Sequence, residues 1–245
     1  MSPPLLSALR RIVGEAPVRR GEAERYAYAA DLWPRNQIWK LQGEPARHAP
    51  DVVVHPGSEQ EVAQIHIAAR DLGVPLIPYG AGSGVCGGTV PIRGGIIMDL
   101  RRMNRLLSVN SEDRLATAEA GMIGMHLEEA LDDRGYTLGH FPSSILCSTF
   151  GGWVAARSGG QFSSKYGKIE DMVVGLRAVL PDGEITDVEL GSGGGLLPLL
   201  IGSEGTLGTI VSATVRLHDR PAARAFRGWR FRSLDGAVRA IRTLM

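Results

Sequence analysis

The chain has 245 residues, of which 44% are hydrophobic and 22% charged, with a formal net charge of +1. That length holds one large domain or two small ones, and a near-neutral balance without a lysine- or arginine-rich block leaves no electrostatic footprint for nucleic acid. The 32 glycines lie well above the usual share of about 7% and cluster without a fixed period, which excludes collagen-like or simple linker sequence and points to many tight loops.

Residues 1–46 read as an N-terminal helical segment: Leu5, Leu6, Leu9 and Ile12 recur at helical spacing, and 22–30 continues in the same way. Met1-Ser2-Pro3-Pro4-Leu5-Leu6 lacks the basic-then-apolar pattern of a signal peptide, and no apolar run nears the roughly 20 residues that span a bilayer. A cytoplasmic location is the default expectation. Residues 51–54 form a strand ended by Pro56. Ser58 and Glu61 then make a capping box for a helix that buries Val62, Ile65 and Ala69 and stops at Gly73. Residues 73–78 return as a strand, so that strand, helix, strand and the following glycine loop form one right-handed unit.

Mostly strands follow, at 96–100, 105–109 and 115–119, and then a helix over 125–134 ends at Gly135. A strand at 172–180 turns at Pro181-Asp182-Gly183 and comes back through 185–189 as a hairpin. Gly191 to Gly195 reads as a mobile loop, 196–201 as an apolar run, and 208–217 as the last long strand. Helices alternating with strands, then mostly strands, argue for an α+β fold over 47–220. Residues 225–231 look like a strand and 235–245 like a helix with Val238, Ile241, Leu244 and Met245 on one side. One strand and one helix cannot bury their apolar faces alone, so 221–245 is read as the opening of a second domain, continued elsewhere or on a partner chain. Five arginines (Arg220, Arg224, Arg227, Arg230 and Arg232) fall in this region, and the alternation of Arg230 and Arg232 around Phe231 suits a solvated sheet face.

The most informative motif is Pro78-Tyr79-Gly80-Ala81-Gly82-Ser83-Gly84-Val85-Cys86-Gly87-Gly88, set between two strand-like runs. Residues without Cβ let successive N–H groups converge on an anion. A dinucleotide fold of the Rossmann type would open a helix here and place a third glycine where Val85 stands. The loop is therefore either a phosphate cradle or a tight turn between core strands. No G-K-[ST] completes a P-loop and no G-x-S-x-G marks a hydrolase elbow. His48, His55, His66, His126, His140 and His218 show no metal-ligand spacing, so no metal site is expected. Cys86 and Cys147 give no disulfide framework and are read as small buried thiols.

Further segments follow in order: Glu119-Ala120-Gly121; Pro142-Ser143-Ser144 through Ser148-Thr149-Phe150-Gly151-Gly152; Arg157-Ser158-Gly159-Gly160 leading to Lys165-Tyr166-Gly167-Lys168-Ile169-Glu170-Asp171; and Gly202-Ser203-Glu204-Gly205-Thr206-Leu207-Gly208-Thr209-Ile210. With the glycine loop, this series resembles the FAD-binding domain of the vanillyl-alcohol oxidase/p-cresol methylhydroxylase (PCMH-type) flavoproteins over roughly residues 30 to 245. Within that superfamily it is most similar to alkyldihydroxyacetonephosphate synthases and to FAD-linked 2-hydroxyacid dehydrogenases such as the glycolate oxidase FAD subunit. Trp33-Pro34-Arg35-Asn36-Gln37-Ile38-Trp39, Gly139-His140-Phe141-Pro142 and the run from Tyr166 to Asp171 favour the synthase branch.

The resemblance implies an FAD-binding domain of two α+β subdomains followed by the start of a truncated substrate (cap) domain. It implies that Pro78, Tyr79, Gly80, Ala81, Gly82, Ser83 and Gly84 cradle the FAD pyrophosphate. Pro142, Ser143, Ser144, Ser148 and Thr149 would line the ribityl channel, with Gly121, Gly151, Gly152 and Ser158 near the cofactor. The run from Glu204 through Gly205 to Ile210 would close over the adenine–ribose half. Arg157 is read two ways, as a cofactor-side cation or as a partner of Glu170 or Asp171. Lys165 and Lys168 are read as surface charges and Tyr166 as packing. No histidine stands in residues 78–88, so noncovalent FAD is expected. His140 is the histidine to consider as an acid or base, with a structural role the favoured reading. The activity implied is an FAD-dependent oxidoreductase that passes a hydride from a 2-hydroxyacid to flavin N5. The alternatives are a synthase reaction without net redox, or a flavin-binding module inactive without its substrate domain. The partners implied are a small-molecule substrate and a missing substrate domain or partner chain, with homo-oligomerisation left open and no nucleic acid.

Overall fold

The computed structural model describes residues 3–44, 47–191 and 195–244. The centre of the glycine run at 191–195, and Met245, lie outside the described residues. The chain opens with α1 (Pro3–Val13), β1 (Val18–Arg19), α2 (Glu22–Ala27) and α3 (Pro34–Leu41), the last begun by Pro34 at its first turn, where a missing N–H costs nothing. Then come β2 (Val52–Val54), α4 (Glu59–Asp71), β3 (Leu76–Tyr79) and β4 (Ile96–Asp99). These strands form a sheet in the order β1-β2-β4-β3, with β1 antiparallel to β2 and the other pairs parallel. The N-terminal segment is thus stitched into the sheet rather than lying apart from it. The strand that follows the glycine loop is inserted between β2 and β3.

The second half supplies β5 (Leu106–Asn110), β6 (Leu115–Glu119), α5 (Gly124–Asp132), β7 (Tyr136–Thr137), α6 (Phe150–Ala156), α7 (Ser163–Tyr166), α8 (Ile169–Met172), β8 (Val173–Val179), β9 (Ile185–Glu189), α9 (Leu196–Leu200), β10 (Thr209–Arg216), β11 (His218–Asp219) and α10 (Leu234–Leu244). Five of these strands make an antiparallel sheet in the order β5-β6-β10-β8-β9, and β11 pairs with β7. The hairpin at 181–183 joins β8 to β9 with Val179 opposite Ile185. This is the α+β fold expected from the sequence, with two larger sheets and the two-stranded β7–β11 ladder among the described residues.

Helix α4 docks the first sheet on the second, and α6 covers the second sheet. Ser58 caps α4 by accepting from the Glu61 N–H at 3.2 Å, while the Glu61 carboxylate accepts from the Gly57 N–H at 2.7 Å, one residue earlier than a reciprocal box requires. Val62 and Ile65 are fully buried, and His66 Nε2 lies 2.8 Å from Thr209 Oγ1 at the start of β10. An ion pair from Arg177 on β8 to Glu59 adds a surface tie. Helix α6 packs on β6 and β10 with Phe150, Trp153 and Val154 buried, and Thr149 Oγ1 caps it by accepting from the Gly152 N–H.

Two expectations are corrected. Residues 225–231 are not a strand: no strand among the described residues lies alongside them, and an extended segment needs a partner for its N–H and C=O groups. Cys86 and Cys147 are exposed thiols, because both sit on glycine- or serine-rich turns that carry no apolar cover.

Helix α10 buries none of its described residues, and Phe226, Trp229, Leu234 and Leu244 are largely exposed. Such a surface favours association. The full chain is expected to self-associate in sedimentation velocity and a version ending near residue 222 to do so less; a monodisperse full chain would contradict this.

Burial pushes the His66 imidazole down to about 4, against about 6.5 in an unfolded chain. Protons therefore favour the unfolded state below pH 6.5, and stability falls as pH drops from 6.5 towards 4. Urea midpoints should decline across that window, by at most about 2 kcal/mol at pH 5 from this residue. His66→Gln should flatten part of the decline; a variant with the same pH slope as the parent would refute the assignment.

Candidate functional site

A cleft of about 350 Å³ opens where the two sheets meet, at the low end of the range of about 300–1,000 Å³ for small-molecule sites. It lies beyond the C-terminal ends of β3 and β4, the side on which open α/β sheets bind ligands. One wall is Pro78, Tyr79, Gly80, Ala81, Gly82, Ser83 and Gly84, continuing through Val85, Cys86, Gly88 and Thr89. A second is Ser144, Ser148, Thr149, Gly151, Gly152 and Ser158, along α6 and its approach. A third is Glu204, Gly205, Gly208, Thr209 and Ile210, leading into β10. Residues some 130 positions apart in the chain are thereby brought around one space.

Four of the expected residues do not line the cleft. Gly121 packs against backbone instead: a Cβ there would overlap Leu100 and approach the Arg101 Cα at 2.8 Å, so its role is to let β6 exit close to the end of β4. Pro142 and Ser143 sit behind Ser144 on the turn, with the Ile145 N–H donating to Pro142 O. Arg157 ends α6 in the left-handed region (φ 50°) and turns away, donating to Pro198 O at 2.6 Å and lying 3.5 Å from Glu170. Of its two readings, the geometry places it beside Glu170. Lys168 also pairs with Glu170, and Tyr166 packs its ring on His218.

His140 lies behind Ser158. Its Nε2 is 2.8 Å from Ser158 Oγ, its ring meets Trp153 edge-on at 4.8 Å, and it is almost wholly buried. Desolvation pushes its pKa down to about 4, so it is neutral near pH 7. The Trp153 indole N–H donates to Ser148 Oγ, whose hydroxyl donates to Ser144 O. His140 and Trp153 thus hold the hydroxyl wall in place from behind.

The electrostatics are set by what the walls contain. No lysine or arginine is among the described lining residues; Asp31 and Glu204 are the charged ones. An anion held here is met by backbone N–H and hydroxyl donors. Steric room comes from glycine, since a Cβ at Gly80 would overlap the Thr149 hydroxyl that caps α6. Asp31 and Thr89 line the walls, and Asp31 Oδ2 and Thr89 Oγ1 are buried without a partner. Buried polar groups are normally paired, so these oxygens fit a site completed by a ligand with many hydrogen-bonding groups. Asp31, Thr89, Leu100 and Trp153 are lining residues that sequence reasoning missed. Asp31 had one local signal, an acid two residues before Trp33-Pro34 at a helix start.

A glycine-walled, cation-free cleft at strand ends, with hydroxyls along a capped helix, defines a domain built to hold a nucleotide diphosphate through neutral donors. The chain belongs to the FAD-binding-domain family, whose profile matches residues 50–189, more than half of it. It is of the PCMH type, and its cofactor is FAD. It is 32% identical over 250 residues to the alkyldihydroxyacetonephosphate synthase of Trypanosoma brucei brucei, covering 98% of this chain and 40% of the relative. It is 33% identical to the glycolate oxidase subunit GlcD of Bacillus subtilis, covering 89% of this chain and 46% of that subunit. A solved alkyldihydroxyacetonephosphate synthase superposes with a TM-score of 0.84 at 34% identity, over 91% of this chain and 41% of that one. The chain therefore spans less than half the length of these relatives.

Gly80→Val should drive the Thr149 hydroxyl off its capping position. The expected result is loss of FAD uptake by tenfold or more and of about 1–3 kcal/mol of stability, read by flavin fluorescence titration and thermal unfolding. Normal uptake by a stable variant would contradict the cradle geometry.

Proposed function

We propose that this chain holds FAD noncovalently in the cleft, as the flavin-carrying part of a larger flavoenzyme whose substrate is covered by residues beyond it. The observation that carries this is the cleft wall itself, a run of glycines and hydroxyls free of lysine and arginine, which matches a diphosphate group bound through N–H donors. The loop from Pro78 to Gly84 would hold the diphosphate, Ser144, Ser148, Thr149 and Ser158 the ribityl side, and Glu204 to Ile210 the adenosine side. Bound flavin supplies a two-electron acceptor and donor at its ring. The protein's part is to orient that ring and keep water from it.

Two reactions are open to such a flavoenzyme. Similarity to the glycolate oxidase subunit supports oxidation of a 2-hydroxyacid by hydride transfer. Similarity to the synthases in both sequence and superposed structure supports a reaction without net redox, and it is the observation that favours this second reading. Anaerobic addition of glycolate or lactate to the intact flavoenzyme separates them: bleaching of the flavin absorbance supports oxidation, and an unchanged spectrum rules it out for those acids.

Noncovalent binding is tested by acid precipitation of the purified, FAD-loaded protein. No histidine is among the described lining residues, and Cys86 supplies a thiol on the wall. The yellow colour is expected in the supernatant. Colour retained in the pellet would show a covalent bond, which Cys86→Ser would then abolish if the thiol forms it. A colourless chain that takes up no added FAD would overturn the assignment of the cleft.

A further inference from the structure

The N-terminal segment, outside the region matched by the family profile, reaches the cleft through Asp31. This residue is only 3% exposed. Its Oδ1 is fully engaged, accepting from the Trp33 N–H at 3.0 Å and from the Asn36 side-chain amide at 3.2 Å. These contacts turn the chain into α3 and fix the carboxylate plane. Its other oxygen, Oδ2, is buried and unpartnered on the cleft wall, 3.9 Å from where a Cβ on Gly84 would stand. The same segment is pinned to the glycine loop by the Leu32 N–H, which donates to Gly84 O at 3.0 Å. Asp31 is therefore held against the loop by contacts that leave one carboxylate oxygen of a wall residue without a partner.

A buried carboxylate oxygen needs donors. No lysine or arginine among the described lining residues can supply them. A diphosphate cannot either, because it only accepts hydrogen bonds and repels a carboxylate. The donors a nucleotide cofactor brings are its hydroxyls. We propose that Asp31 is a cofactor-binding residue whose Oδ2 accepts a hydrogen bond from a ribose or ribityl hydroxyl of FAD. The inference rests on FAD occupying this cleft. It makes the N-terminal segment part of the site and assigns the diphosphate to the neutral stretch of the loop away from Asp31.

Two substitutions test it. Asp31→Asn keeps an oxygen for the Trp33 and Asn36 donors, so its amide nitrogen falls where Oδ2 stood. Asp31→Ser keeps a single oxygen for the Trp33 N–H and leaves nothing facing the cleft. FAD affinity of the cofactor-free full chain is measured by fluorescence quenching, and thermal unfolding without cofactor shows that each variant folds. A charge-assisted hydrogen bond to a hydroxyl predicts an affinity loss of about ten- to a hundredfold in both variants, with the unfolding temperature of Asp31→Asn near that of the parent. Titration with ADP refines the assignment: an equal loss places the contact on the adenosine ribose, and a loss confined to FAD places it on the ribityl chain. Unchanged FAD affinity in a folded variant would overturn the proposal. So would tighter binding by Asp31→Asn, which would mark the carboxylate as a repulsive neighbour of the diphosphate. If the parent chain itself takes up no FAD, the reading of the cleft fails and this inference fails with it; parent binding with indifferent variants sinks the inference alone.

Discussion

The carboxylate of Asp99, at the end of β4, is fully buried, and burying a charge costs several kcal/mol unless its lone pairs are met. They are met from both directions along the chain. The Arg101 N–H donates at 2.9 Å and the Arg101 guanidinium at 2.6–3.1 Å, while the Tyr28 hydroxyl donates at 2.7 Å from just beyond α2. The partners respond: Tyr28 resists ionisation through burial and then through Asp99, and Arg101 is held more firmly protonated, chiefly by its hydrogen bond to Asp99. His55 stands 3.6 Å away, and burial lowers its pKa although Asp99 opposes this. Tyr28 also packs edge-on against Tyr79, 4.8 Å between ring centres. One buried charge thereby fixes the N-terminal segment against the strand that carries the glycine loop. Asp31, three residues past Tyr28, inherits its place from that clamp.

The cleft follows from how the two sheets are joined. Helix α4 spans them through His66 and Thr209, and α6 lies on β6 and β10 of the second sheet with Phe150 and Trp153 buried. Between these two helices the strand ends are left without side-chain cover, because the loop leaving β3 is mostly glycine. Its backbone donors stay available and no Cβ closes the space. A cation could neutralise a bound diphosphate, but it would be a buried, unpaired charge whenever the site lacked one. Neutral donors do not carry that penalty. The positive residues nearby are instead consumed elsewhere, Arg101 by Asp99 and Arg157 by Glu170 and Pro198 O.

Much of this was legible in the sequence where the cause is local. The glycine loop, the Ser58 cap and the Pro181-Asp182-Gly183 turn each announce a backbone conformation that few other residues would serve. Helix α6 was not legible, since Gly151 and Gly152 are poor helix formers and the segment is helical because Thr149 caps it and Phe150 and Trp153 are buried against the second sheet. The strand pattern at 225–231 failed for the opposite reason: alternation promises a strand only when an edge is there to receive it. Arg157 could not be settled from spacing, because the left-handed turn at the end of α6 decides where its side chain points. Asp31 was invisible for a related reason. Its partner surface, the loop ending at Gly84, lies more than fifty residues away, and only the insertion of β4 between β2 and β3 brings the two together.

That distance bears on how the site selects its ligand. A glycine cradle alone accepts any compact anion of suitable size. A carboxylate on the same wall changes the requirement, since a free phosphate or diphosphate gains donors from the loop but is repelled at Asp31. A ligand carrying hydroxyls on the sugar beside its diphosphate satisfies both ends at once. The two features come from different parts of the chain, one inside the family's matched region and one ahead of it. Held together through Asp99, they make recognition of the whole cofactor a property of the assembled fold rather than of the loop.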